Sequence, residues 1–236
     1  MGHTPHRSQH RPYRGEINLS VTIPKLRKVH QNESPFVLDC PEMSLSGTGF
    51  TCIIGKNGSG KSTYGAALAE LRAGQADSWY YLPQHLDRFL FGENVLEQLG
   101  TLLSQEIDRE RLINLIQELG FTHAESMLNF PFLLMSGGER RRMALVCVFY
   151  LNPSQVILDE PEIGVTPKEN MVLLSKLHNL TAKHASIIVI SHTHEFVRES
   201  SDLICLVEGK IDRVGQTEEL LSDPAFELKN YGVRFR

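Results

Sequence analysis

The chain has 236 residues, a formal net charge of −4 and 41% hydrophobic residues, enough to bury one large core or two small ones. The acidic balance gives no electrostatic reason to expect nucleic acid as a partner. No apolar run approaches the roughly 20 residues that a bilayer-spanning helix needs, so the chain is not expected to cross a membrane itself.

Residues 1–15 carry His, Arg, Ser, Gln and Pro around no apolar centre, and read as a disordered basic tail rather than a signal peptide. Residues 17–23 alternate apolar and polar side chains as a half-buried strand does, and a second strand is expected over 36–38. The apolar run 50–54 then leads into Gly55, Lys56, Asn57, Gly58, Ser59, Gly60, Lys61, Ser62 and Thr63, followed by a helix-favouring stretch over 64–72. Strand, glycine-rich turn and helix start form the context in which this spacing makes a phosphate site. Glycines let successive N–H groups curl around one anion, and the helix dipole adds to them. Lys61 is expected to reach the β- and γ-phosphates and the Ser62 hydroxyl to ligate Mg²⁺, so the chain is expected to bind a nucleoside triphosphate.

Residues 79–82 read as a strand closed by Pro83. Two amphipathic helices are expected over 93–103 and 109–119, within a helical lobe at about 86–135 that interrupts the strand–helix alternation. A helix over 138–150 leads to a strand at 156–158, a helix over 170–182 to a strand at 187–190, and late strands fall at 204–207 and 212–214. This alternation implies an α/β fold with a mainly parallel sheet. Cys52, Cys147 and Cys205 sit in apolar runs and read as buried reduced thiols; with Cys40 they show no metal-ligand spacing.

The strand at 156–158 ends in Asp159, Glu160 and Pro161. Ligands of open α/β sheets bind beyond the carboxyl ends of strands, which places Asp159 near the Mg²⁺ on Ser62. Glu160, one residue on, can hold and polarise an attacking water. Phosphoryl transfer needs mainly positioning and charge compensation, which these acids and Lys61 supply.

Met135, Ser136, Gly137, Gly138 and Glu139 open the following helix and make a second anion cradle. This segment resembles the signature sequence of ABC transporter ATP-binding subunits, usually Leu-Ser-Gly-Gly-Gln. The resemblance covers roughly residues 35–225. It implies a P-loop NTPase core with a small β edge and an inserted helical subdomain, here 86–135 within an ATPase domain at 16–236. It further implies that Ser136, Gly137 and Gly138 meet the γ-phosphate of ATP bound to a partner, in a homodimer or a heterodimer with a second ABC ATPase. Gln84 resembles the glutamine that touches Mg²⁺ and water, and His192 the switch histidine at the γ-phosphate. The implied function is Mg-ATP hydrolysis driving solute movement by integral membrane transporter subunits, from a cytoplasmic position at the inner face of the membrane. His194 offers a competing His-x-His metal reading, which the strand-end position of His192 makes unnecessary. Arg140, Arg141 and Arg142 look like a basic patch, but the signature helix of the family they resemble often carries such charges, so nucleic-acid contact is not expected there.

Three departures stand out. The stretch between Lys61 and Gln84 is short, so the nucleotide lobe is expected to be compact. Thr166 stands where the family has an aspartate that couples the two sites. No Tyr or Trp precedes Gly55 at the spacing that stacks on adenine; His30 is the nearest candidate and Phe36 the runner-up. Residues 89–95, Asn152 with Pro153, and 223–229 look most like ATPases of energy-coupling importers of cobalt, nickel and vitamins. The loop 159–167 instead resembles soluble ABC-type ATPases of the RecF and overcoming-lysogenisation-defect kind, which act on DNA; a regulatory ABC module is a third reading.

Overall fold

In the computed structural model the described residues are 21–30, 36–46, 49–71, 73, 79–87, 89–182 and 186–235. The expected tail, and the first four residues of the strand expected at 17–23, lie outside them.

Two short antiparallel pairs come first. β1 (Val21–Ile23) pairs with β4 (Met43–Leu45), and β2 (Leu26–His30) with β3 (Phe36–Cys40). β5 (Phe50–Ile54) enters the phosphate loop, which opens α1 (Lys61–Leu71); β6 (Tyr80–Leu82) follows. The next stretch holds α2 (Val95–Leu102), α3 (Arg109–Glu118), α4 (Ala124–Met127) and a 3-10 turn at Phe132–Leu134. Strand–helix alternation then resumes through α5 (Gly137–Leu151), β7 (Gln155–Asp159), α6 (Pro167–Thr181), β8 (Ser186–Ile190) and α7 (His194–Glu199). β9 (Asp202–Val207), β10 (Lys210–Gln216), α8 (Thr217–Ser222) and a 3-10 turn at Leu228–Tyr231 complete the described elements.

The central sheet runs β10-β9-β5-β8-β7-β6, parallel except for the antiparallel edge strand β10. Its inner strands are buried on both faces, which is why 50–54 and 187–190 read as continuous apolar runs. Phe50, Cys52, Ile54, Val156, Leu158, Ile187 and Val189 face one core, shared with α5, α6 and the helices between β6 and β7. Ile53, Ile157, Ile188, Ile190, Ile204 and Leu206 face the other, against Tyr64 and Leu68 of α1 and Leu38 of the small hairpins. Every catalytic candidate except Ser136 and its neighbours sits at or just beyond the carboxyl end of one of these strands, as the parallel topology dictates.

The sequence reading missed β2 and β4, and also α7, which begins at His194 in a segment read only as a strand end. All four cysteines are buried free thiols. Among the described residues no helix is long and apolar enough to cross a membrane.

Candidate active site

The phosphate loop bends where only glycine is comfortable. Gly60 has φ +101, and a Cβ there would lie 2.5 Å from the Phe36 ring. Phe36, the runner-up for base stacking, thus packs against the loop's own backbone; the side chain of His30 lies outside the described residues. Lys61 is buried, and its Nζ donates to the carbonyls of Gly55 at 2.7 Å and Lys56 at 3.1 Å. Burial holds its pKa below the ordinary lysine value, against the opposing pull of Glu160 and Asp159.

Asp159, 1% exposed, ends β7 beside Ser62. Its Oδ2 accepts from the Tyr81 hydroxyl at 3.0 Å, while buried Oδ1 has no hydrogen-bond partner among the described residues. Burial raises its pKa, and the Ser62 and Tyr81 hydroxyls pull it back down. Glu160 takes a left-handed backbone, φ +50, uncommon for a non-glycine residue and frequent at working sites. Its N–H donates to the Ile190 carbonyl at 2.8 Å, tying the end of β7 to that of β8. Its carboxylate lies between two side chains: Gln84 Nε2 donates to Oε2 at 2.9 Å, and His192 Nε2 lies 3.2 Å from Oε1. Burial and the charge of Lys61 depress the His192 pKa, against the raising pull of Glu160 and of a hydrogen bond to the Gly232 carbonyl. The structure therefore brings Lys61, Ser62, Gln84, Glu160 and His192 into one cleft of about 470 Å³, with Asn57 and Gly58 on its wall and Asp159 just beneath. No group of three or more metal-binding side chains gathers around His194 or elsewhere among the described residues; the His194 ring lies 4.7 Å from that of Phe235 instead.

The second cradle stands apart from this cleft. Ser136 caps α5: its Oγ accepts from Glu139 N–H at 3.3 Å and donates to Glu139 Oε2 at 2.7 Å, and its N–H donates to the same oxygen at 2.9 Å. These bonds from Ser136 keep the Glu139 carboxyl below its ordinary pKa. Gly138 meets Gly164 backbone to backbone, since a Cβ on Gly138 would sit 2.8 Å from the Gly164 carbonyl oxygen. Thr166 spends its side chain on capping α6, with Glu169 closing the box and also pairing with Arg142. The loop 160–166 is thereby fastened to the signature helix of the same chain.

Arg141 does not belong to the basic patch expected over Arg140 to Arg142. It is 3% exposed and clamps two loops, donating to the Pro83 carbonyl at 2.5 Å and to the Asp159 carbonyl. Glu162 was also missed. It is buried, accepts from the Ser191 hydroxyl at 2.6 Å and from His192 N–H at 3.3 Å, and burial raises its pKa. Replacing Arg141 with Ala leaves the clamped carbonyls unpaired and the buried acids uncompensated, at a cost of about 2–4 kcal/mol. Chemical denaturation checks this; an unchanged midpoint contradicts the clamp.

The family model described as ABC transporter matches residues 38–162. The energy-coupling factor transporter ATP-binding protein EcfA3 of Oenococcus oeni is 30% identical over 209 residues, covering 76% of this chain and 72% of that protein. The zinc import ATP-binding protein ZnuC of Pseudomonas fluorescens is 30% identical over 201 residues, covering 80% and 75%. Among solved structures, the ADP- and phosphate-bound dimer of the ATP-binding cassette MJ0796 superposes with a TM-score of 0.70 at 18% identity, over 83% of this chain and 98% of that one. These likenesses favour the transporter reading over the DNA-acting soluble class. The chain belongs to the ABC transporter family, as one of its ATP-binding and ATP-hydrolysing subunits.

Proposed function

We propose that Mg-ATP binds in the cleft at the carboxyl end of the sheet, with Gly55, Asn57, Gly58, Ser59, Gly60, Lys61, Ser62 and Thr63 around its phosphates, and that Glu160 activates the attacking water. The observation that carries this reading is the placing of the Glu160 carboxylate between Gln84, which donates to Oε2, and His192 Nε2, 3.2 Å from Oε1, next to Lys61. With the other ring nitrogen bonded to the Gly232 carbonyl, Nε2 of a neutral His192 would be an acceptor beside Glu160 Oε1. Two acceptors on one side of the cleft suit the protons of a water poised for attack. The orphaned Asp159 Oδ1 beside Ser62 fits a hard cation, so Ser62, Asp159 and Gln84 would hold Mg²⁺. Bound there, Mg²⁺ would offset charge on the β- and γ-phosphates.

Ser136, Gly137 and Gly138 then serve the nucleotide of a second ATPase, either another copy or a related chain. Thr166 and Glu169 hold the intervening loop by capping, where an aspartate would reach across the pair.

The helical subdomain at 86–135 is the docking part for integral membrane transporter subunits. Leu133 and Leu134 are 89% and 71% exposed, with exposed Phe91 in the neighbouring loop. The Phe132 N–H donates to the Glu93 carbonyl at 2.9 Å, so these apolar side chains stand on joined loops. Exposed apolar side chains on adjoining loops suit a protein contact. The chain expressed alone is expected in the soluble fraction, and on the membrane only when the partner is co-expressed. Affinity purification in mild detergent checks this; recovery of DNA-processing proteins without any integral membrane protein contradicts it.

A further inference from the structure

Segment 232–235 is built onto the rim of the cleft although it lies forty residues beyond His192. Tyr231 anchors it in the core, its hydroxyl donating to Asp212 Oδ2 at 2.5 Å and its ring stacked on Phe226 at 5.3 Å. Gly232, with φ +74, turns the chain back over the phosphate loop, where a Cβ would come within 3.4 Å of the Lys56 Cα. The segment then pairs with the switch loop as a parallel bridge between Thr193 and Arg234. Arg234 N–H donates to the His192 carbonyl at 2.7 Å, and His194 N–H donates to the Arg234 carbonyl at 3.1 Å. Main-chain bonds on both sides thus fix where the Arg234 side chain starts. It lines the same cleft as Lys61, Ser62, Gln84, Glu160 and His192. Its charge reaches the His192 ring and is one of the influences holding that ring's pKa down.

We propose that Arg234 is a second cation for the terminal phosphate of the nucleotide, supplied by the same chain. The inference rests on reading this cleft as the Mg-ATP site. A guanidinium offers paired donors in a fixed plane, which suits phosphate oxygens better than a lone ammonium does. Phosphoryl transfer spreads charge over those oxygens, and an added arginine compensates it. Because Arg234 is bonded through its backbone to His192 and His194, the switch loop and this cation move as one unit. Arg234 therefore distinguishes nucleotides that carry a γ-phosphate from those that do not.

The full chain carrying Arg234→Ala tests this, since the bridge to the switch loop uses main-chain atoms and survives the substitution. Calorimetry with Mg²⁺ measures the affinities for ADP and for the non-hydrolysable analogue AMP-PNP. The analogue is expected to bind about tenfold more weakly and ADP within about twofold of the parent, with hydrolysis slowed by roughly 10–100-fold. Arg234→Lys restores part of both losses. Equal weakening of ADP and analogue, or no change in either, overturns the role of Arg234. Lys61→Ala serves as the control for the cleft itself: if it binds both nucleotides as tightly as the parent, the cleft assignment fails, and Arg234 with it. If Lys61→Ala loses both nucleotides while Arg234→Ala matches the parent, only the Arg234 inference falls.

Discussion

Glu160→Gln is expected to slow ATP hydrolysis by about 10²–10³-fold, on the order of 3–4 kcal/mol of barrier. The substitution keeps the volume and one carbonyl oxygen, so the bond from Gln84 Nε2 can persist. What it removes is the negative charge that, in the proposed mechanism, draws a proton from water, beside a histidine whose depressed pKa makes it a poor replacement base. ATP affinity should survive, because in the proposed site the phosphate contacts come from the loop and Lys61 rather than from Glu160. Phosphate release under steady state gives the rate and calorimetry the affinity. A variant that hydrolyses ATP within about twofold of the parent rate removes Glu160 from the mechanism.

Lys61→Ala should cost at least about 100-fold in Mg-ATP affinity, since a charge-assisted phosphate contact vanishes from a partly desolvated site. Lys61 Nζ already sits among loop carbonyls at 2.7 and 3.1 Å, poised inside the cradle rather than out in solvent. Its lowered pKa records the cost of that burial, a cost that phosphate oxygens would offset. The loop itself should stay folded, as Ser59 N–H still donates to the Lys56 carbonyl at 3.0 Å. Titration calorimetry decides it, and unchanged affinity rejects the phosphate-site reading.

The phosphate loop, the acids after β7 and the signature segment were legible because each is a contiguous run whose chemistry needs neighbouring residues. The parallel sheet was legible for a related reason, as strands buried on both faces leave uninterrupted apolar runs. Arg141 was not, because helical phase alone separates it from Arg140 and Arg142. Residues 143–150 of α5 are all buried, so no polar stripe reveals which arginine points inward. β2 escaped because Arg27 and Lys28 break its apolar pattern, and α7 because its six residues are too few to show a period. Glu162 and Arg234 reach the site through contacts with 191–194, remote in the chain, and no local pattern announces such contacts. Phe36 shows the converse case: its type invited a base-stacking role, whereas its ring fills the space that Gly60 leaves open.

In the proposed site ATP is held between two ATPase chains, one giving the phosphate loop and the other Ser136, Gly137 and Gly138. Size-exclusion chromatography with light scattering on Glu160→Gln tests it most directly, with Mg-ATP or Mg-ADP and with any ATPase chain that co-purifies. A pair is expected with Mg-ATP, separating in Mg-ADP and failing to form when Ser136→Arg fills the second cradle. A monomer in Mg-ATP, even with every co-purified ATPase chain added, would contradict it.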